Sequence, residues 1–198
     1  TPTFNRRPFF DMCCACLADQ TYPKDRLEWI VYDDGNDSIE DMVDELQTRT
    51  GIRVRYFRNE ERQTISQKRN FLNSKALGAF ICYWDDDDFY QPNRIADSVT
   101  ALEAHPEINI AGSSAMFCYF NDTGEVWQLG PYGANHSTAA VLFFRKTLLA
   151  VTQFNDTTCI AEEPEFLQGH TLPIVQMNPT KTIVVIAHSQ TTVNKKRL

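Results

Sequence analysis

Four aspartates in succession, Asp85-Asp86-Asp87-Asp88, stand directly behind the apolar run Ala79-Phe80-Ile81-Cys82-Tyr83-Trp84. Two unit negative charges about 5 Å apart at an effective dielectric of about 20 repel by roughly 3 kcal/mol, so such a cluster calls for a cation. Hard carboxylate oxygens suit Mg²⁺, Mn²⁺ or Ca²⁺ better than zinc or copper. The plainer alternative is a solvated acidic turn. Three further groups have the types that chemistry uses: Asp33-Asp34-Gly35 behind a second apolar run, Lys68-Arg69 in a helical pattern, and Glu162-Glu163 late in the chain. A carboxylate of the last pair is suited to accept a proton from a hydroxyl. Their plainer readings are a turn signal, a solvated helix face and an acidic first helical turn.

Those groups need elements to hold them. Residues 79–84 read as a strand buried on both faces in a parallel sheet, which puts the aspartates at its C-terminal end, where open α/β sheets place ligands. Ahead of it, Pro8 opens a helix carrying Phe9, Met12, Cys13, Cys16 and Leu17 to about Asp19. Leu27 to Tyr32 reads as a strand, and Ser38 as the N-cap of a helix bearing Ile39, Met42, Val43 and Leu46. Ile52, Val54 and Tyr56 alternate as a strand, and Thr64 to Ala76 is a helix. This alternation implies a mainly parallel sheet with right-handed crossovers. It starts on a loop and helix, so the strand that should precede Thr1 is expected to be truncated or absent.

The second half is more mixed. A helix after Pro92 carries Ile95, Val99 and Leu102, and residues 108–111 and 115–120 are extended. The latter turns at Asn121-Asp122-Thr123-Gly124 into a hairpin with residues 125–129. A glycine-bearing loop over 130–133 leads to Asn135-His136-Ser137-Thr138 and the apolar 139–144, and a late strand over 182–187 ends at His188. A lone histidine is more often structural than a ligand, and His188 carries both readings.

Composition bounds the rest. The 198 residues, 42% hydrophobic and 12% aromatic, can bury a sizeable core in a single domain. A formal charge of -7 without a compensating basic patch argues against a nucleic-acid partner, and Lys195-Lys196-Arg197 reads as a solvated tail. No apolar stretch is long enough for a membrane span and no signal peptide is visible. The six cysteines, with Cys13, Cys14 and Cys16 crowded on one helix, read as free buried thiols in a reducing, cytoplasmic compartment. The N-x-S/T sequons at Asn36, Asn121, Asn135 and Asn155 say little without a secretion signal.

Taken together, Thr1-Pro2-Thr3-Phe4-Asn5-Arg6, Val31-Tyr32-Asp33-Asp34-Gly35, Lys68-Arg69-Asn70 and Trp84-Asp85-Asp86-Asp87-Asp88 resemble, in order and spacing, family 2 glycosyltransferases of the GT-A fold. The likeness covers nearly the whole chain and looks most like the glycosyltransferase domains of large DNA viruses of algae, which would place the protein in host cytoplasm. It implies an α/β, Rossmann-like, mainly parallel sheet flanked by helices, with a smaller mixed antiparallel portion in the second half. Residues 1–90 would then form the nucleotide-binding part and 91–198 the acceptor side. The implied activity is inverting, metal-dependent transfer of a sugar from a nucleotide-diphosphate sugar, a UDP-sugar first, to a hydroxyl of a glycan or glycoprotein acceptor.

The resemblance also distributes roles. In its DXD-type motif Asp87 is a ligand of Mn²⁺ or Mg²⁺, Asp85 a ribose or metal contact, Asp86 a donor contact, and Asp88 a supporting or acceptor-side group. Thr1, Pro2 and Thr3 cradle the base, and Asp33 accepts a hydrogen bond from it, with Asp34 able to exchange roles. Arg69 lies over the nucleotide with Lys68 assisting, and His188 is a metal ligand. Glu163 is the base, with Glu162 the alternative, since the family's usual Glu-Asp pair is Glu-Glu here. His136 is a candidate for the acceptor or the diphosphate. Two other readings compete: a haloacid-dehalogenase-like phosphohydrolase using Asp85 and Asp87, and a nucleotide-binding module without catalysis.

Overall fold

The computed structural model describes residues 1–157 and 162–191; Cys159 and Lys195-Lys196-Arg197 lie outside the described residues. The first half builds a parallel sheet, β1 (Pro2–Thr3), β2 (Glu28–Asp33) and β3 (Arg53–Arg58), in that spatial order. Pro2 and Thr3, expected in a loop, pair in parallel with Tyr32 and Asp33. The expectation of a missing leading strand is corrected to that extent. Crossovers are α1 (Phe10–Ala18) and α2 (Glu40–Thr50). In α1, Phe10, Cys13, Cys14, Cys16 and Leu17 are buried; Pro8 sits ahead of the helix in a 3-10 turn over Arg7–Phe9.

Ser38 does not cap α2 as expected. Ile39 holds that position without a side-chain bond, while Ser38 Oγ accepts from Glu40 N at 3.3 Å and meets the Tyr56 hydroxyl at 3.1 Å. By contrast α3 (Ile65–Lys75) starts where its sequence says. Thr64 Oγ1 accepts from Gln67 N at 3.1 Å and Gln67 Oε1 from Thr64 N at 2.9 Å. A reciprocal cap of this kind is worth about 1 kcal/mol and fixes the helix start. The rotation that follows turns Lys68 and Arg69 inward; both are buried, so they do not form a solvated face.

β4 is shorter than the apolar run, covering Phe80–Cys82, and its sheet partner is antiparallel. The expected parallel placement is corrected for this strand. β5 (Phe89–Tyr90), α4 (Arg94–Ala104), β6 (Ile110–Gly112), the hairpin of β7 (Met116–Phe120) with β8 (Glu125–Leu129), β9 (Phe143–Arg145), α5 (Glu163–Phe166), β10 (Ile174–Gln176) and β11 (Ile183–Ala187) complete the order. They form two mixed sheets, β10-β6-β9-β4 and β5-β11-β7-β8. Only β10 with β6 and β11 with β7 pair in parallel there.

One apolar cluster joins α1, α2 and α4 to β2, β7 and β11; a second gathers Ile81, Tyr83, Phe144, Phe154, Phe166 and Leu167. Arg94, 1% exposed, crosses the interior by donating to Tyr83 O at 2.9 Å and Ala140 O at 2.8 Å. Its guanidinium also lies near the rings of Tyr90 and Trp84, which replaces part of the hydration it gives up. The five described cysteines are free. No helix among the described residues is long and apolar enough to cross a membrane.

Candidate active site

The ends of β1 and β2 carry the first group. Asp33, the last residue of β2, is 1% exposed. Its Oδ1 accepts from Gly35 N at 2.8 Å, and its Oδ2 from the Tyr56 hydroxyl at 2.6 Å and from Arg58 at 3.2 Å. Tyr56 and Arg58 are on β3, and the pairing register sets Arg58 opposite Asp33. Asp34 is ion-paired to Lys68 and accepts from Gln63 N at 2.7 Å. Lys68 Nζ also donates to Thr3 O at 2.9 Å, tying α3 to β1. Burial lowers the Lys68 ammonium pKa, against the opposing pull of Asp34. Thr1 Oγ1 accepts from the Trp29 indole at 2.7 Å. A side chain at Gly35 would stand 2.5 Å from Asn5 N, so glycine there lets the segment before α1 close on this turn.

The four aspartates divide their partners. Asp85 meets Arg69 at 3.4 Å, and its backbone N–H donates to the Tyr90 hydroxyl at 2.6 Å. Asp87 Oδ2 meets His188 Nε2 at 3.1 Å and Arg6 at 3.5 Å. Asp88 Oδ1 accepts from Ile186 N at 2.9 Å, which ties it to the backbone of β11. Asp86 is buried; burial first, then the Asp87 carboxylate, push its pKa up to about 7, against the pull of Thr3 and Arg6. Like-charge repulsion is thus met by cationic partners at two positions, a backbone donor at one and a raised pKa at the fourth. The plain solvated turn is excluded, since Asp86 and Asp88 are 6% and 5% exposed.

Arg69 joins this cluster to the late acidic pair. It is 3.4 Å from Asp85 and 3.2 Å from Glu162, with its guanidinium 4.8 Å from the Tyr83 ring centre. Burial raises the pKa of Glu162, against the attraction of Arg69. Glu163 faces elsewhere: its Oε1 accepts from Ala139 N at 2.9 Å, and it lines a cavity with Tyr132, His136, Thr138 and His170.

His188 stacks on Phe9 with ring centres 4.2 Å apart, and Gln190 N donates to its Nδ1 at 3.1 Å. An Nδ1 that accepts assigns the proton to Nε2, which donates to Asp87. For a divalent ion, Asp87 and Asp85 offer hard oxygen donors of the right kind, and His188 Nε2 would join them only once its proton moves to Nδ1, at the cost of the Gln190 contact. Asp87 and His188 already share one point in space, although no trio of metal-ligating side chains is gathered among the described residues. The donor chemistry fits such an ion at Asp87.

Sequence reading missed Arg6, Tyr56, Arg58 and Arg94. Arg58 was open to discovery, because it closes the strand that follows the one closed by Asp33, and parallel neighbours align their ends. Arg6 and Phe9 gave no such signal; they reach Asp87 and His188 only through the packing of the turn ahead of α1.

Comparison with known proteins adds a family model described as Glycosyl transferase family 2, which matches residues 1–157. Over 105 residues the chain is 24% identical to poly(ribitol-phosphate) beta-N-acetylglucosaminyltransferase TarS of Staphylococcus aureus, covering 52% of this chain and 18% of TarS. S. aureus TarS 1-349 in complex with UDP-GlcNAc has a TM-score of 0.72 at 18% identity, covering 96% of this chain and 58% of that one. The mannosyltransferase PcManGT from Pyrobaculum calidifontis, in complex with GDP-Man and Mn²⁺, has a TM-score of 0.75 at 16% identity, covering 96% and 56%. At these identities the structural likeness is one of fold, and it bears out the expected α/β GT-A class. The chain spans about a fifth of its curated relative and little more than half of these solved structures.

Proposed function

The chain belongs to glycosyl transferase family 2, and from that premise we propose that it moves a sugar from a nucleotide-diphosphate sugar, a UDP-sugar first, to a hydroxyl of a glycan or glycoprotein acceptor with inversion. The observation that carries this reading is Arg69, which joins Asp85 at 3.4 Å to Glu162 at 3.2 Å. Acids from two distant parts of the chain thereby flank one site, beside the Asp33 and Asp34 turn. Residues 1–90 supply the nucleotide side and 91–198 the acceptor side.

The base lies against Thr1, Pro2 and Thr3. Asp33 accepts three of the roughly four hydrogen bonds a carboxylate can take, leaving one position for the base ring. Asp34 holds Lys68 in place, Arg69 and Asp86 face the donor, and Asp85 meets the ribose or the metal. Asp87, with His188 and Asp85, would hold Mn²⁺ or Mg²⁺. When bound, that ion supplies positive charge to the departing diphosphate. Glu163 takes the acceptor hydroxyl's proton as that oxygen bonds to the anomeric carbon. The bond from that carbon to the diphosphate breaks on the opposite face, so one displacement inverts the configuration. Glu162, committed to Arg69, is the weaker candidate for base. Free thiols at all five described cysteines support a reducing, cytoplasmic setting.

A phosphohydrolase would want its aspartate pair after the first strand, whereas Asp85 and Asp87 follow β4. The test is a thermal-shift panel of UDP-GlcNAc, GDP-Man and other nucleotide sugars with and without Mn²⁺, because a ligand of the native state raises stability by mass action. UDP release that requires an acceptor supports the transferase. Phosphate release from a monoester supports the phosphohydrolase, and binding without turnover of any acceptor supports a binding module.

A further inference from the structure

Arg6 and Arg7 are consecutive cations that turn to different acids. Arg7 pairs with Asp41 through both terminal nitrogens and donates to Ser38 O. Arg6 turns instead to Asp87, with Nη2 3.5 Å from Oδ2. The backbone sets that aim. Asn5 takes a left-handed conformation, φ 54°, and its Oδ1 accepts from Asn36 N at 2.7 Å, which bends the chain between β1 and the turn ahead of α1. Phe9 N donates to Arg6 O at 2.9 Å, and the guanidinium lies 5.6 Å from the centre of the Phe9 ring, the ring that stacks on His188. Arg6 and His188 therefore both pack near Phe9 and both meet Asp87 Oδ2.

The two arginine pairs differ in kind. Arg7 is held by two parallel hydrogen bonds, whereas Arg6 at 3.5 Å is attracted to Asp87 without one. The Arg6 and Asp87 side chains are 14% and 16% exposed, so ions reach the pair while most of it is shielded from bulk water. A divalent ion on Asp87 would set two positive charges against this guanidinium. Repulsion between cations at such range opposes the ion, and it is offset only when further negative charge enters the site. A nucleoside diphosphate carries that charge. Resting on the reading of Asp87 as the ion's ligand in a transferase, we propose that Arg6 is a built-in counter-cation of Asp87, which holds off a divalent ion until the donor's diphosphate arrives. Ion and nucleotide are coupled through this one side chain, and by linkage each tightens the other by the same factor.

The test titrates the whole protein with Mn²⁺, read by electron paramagnetic resonance of the free ion, with and without UDP. In the parent, UDP should tighten Mn²⁺ about tenfold or more. Arg6→Met keeps an apolar stem against Phe9 and removes the charge. It should tighten Mn²⁺ alone about tenfold and cut the effect of UDP to about twofold. Arg6→Lys, which keeps the charge, should stay near the parent. Arg7→Met makes the same change in net charge beside it and should leave Mn²⁺ within about twofold of the parent, which separates a local pair from a long-range field. A merely structural Arg6 would give a less stable protein and weaker Mn²⁺ binding, never a gain. Should Arg6→Met fail to fold, Arg6→Gln takes its place. The proposal is overturned if removing the Arg6 charge leaves Mn²⁺ affinity unchanged or lower, if the effect of UDP stays as large as in the parent, if Arg7→Met gives the same gain, or if no protein of the set binds Mn²⁺. Failure of the transferase reading looks different: UDP then binds to none of them, while the comparison of Mn²⁺ alone still decides the part of Arg6.

Discussion

Asp87 and His188, 101 residues apart in the chain, meet at 3.1 Å through Oδ2 and Nε2. Asp87→Ala removes the carboxylate at the centre of this contact. Mn²⁺-dependent binding of a UDP-sugar should be lost, while the fold persists because the change also relieves repulsion with Asp86. Calorimetry with and without Mn²⁺ reads this directly. An unchanged metal-dependent affinity would remove Asp87 from the ligand set.

Asp33 has a double duty, since its buried carboxylate holds Gly35, Tyr56 and Arg58. Asp33→Ala should therefore lower stability by about 2 to 4 kcal/mol, the cost of stranding buried partners. It should also weaken UDP compounds far more than Mn²⁺ alone. Denaturant melts and calorimetry on one preparation separate the two effects; equal loss of nucleotide and metal binding would make Asp33 structural only.

Glu163→Gln keeps size and the acceptor oxygen used by Ala139 N but removes the proton-accepting charge. Turnover should fall by about 10² to 10⁴ with donor affinity preserved. Glu162→Gln serves as the comparison. It should disturb Arg69 and hence donor affinity first. If only Glu162→Gln loses turnover, the base is Glu162; if neither does, the acidic pair has no part in proton transfer and Asp88 becomes the next residue to test.

Asp86 gives a pH signature. Its carboxyl is raised from an ordinary 3.8 to about 7 by burial and by Asp87. In the metal-free protein, held in EDTA, the folded state keeps this proton where the unfolded state has released it. The stability so contributed is full below about pH 4 and is lost as pH rises through about 7. Asp86→Asn should match the parent near pH 4 and exceed it by about 1 to 3 kcal/mol at pH 8. Urea melts across that range check it, and two parallel curves would contradict it.

Much of the fold was legible because the α/β alternation, the helical pattern from Thr64 to Ala76 and the hairpin turn at Gly124 are local signals. The direction of β4 was not, because an apolar run of that kind is equally buried beside a parallel or an antiparallel neighbour, and its partner β9 lies some sixty residues on. Ser38 misled for a related reason: it is a good cap in isolation, but the Tyr56 hydroxyl competes for its oxygen. In the site, residue types marked the acids and Lys68, while their pairings depended on packing. Nothing in the order of Glu162 and Glu163 says that one turns to Arg69 and the other to the cavity.

Arg94 has a consequence for how this domain can vary. By holding Tyr83 O and Ala140 O together, it spans from the residue two before the first aspartate to the residue beside the one whose N–H steadies Glu163. The gap between the two acidic centres is therefore gauged by a rigid internal strut. The turn and outer strand over 121–128, exposed throughout, hang outside that strut, so their length and sequence are free to drift while the spacing of the two acidic centres stays the same.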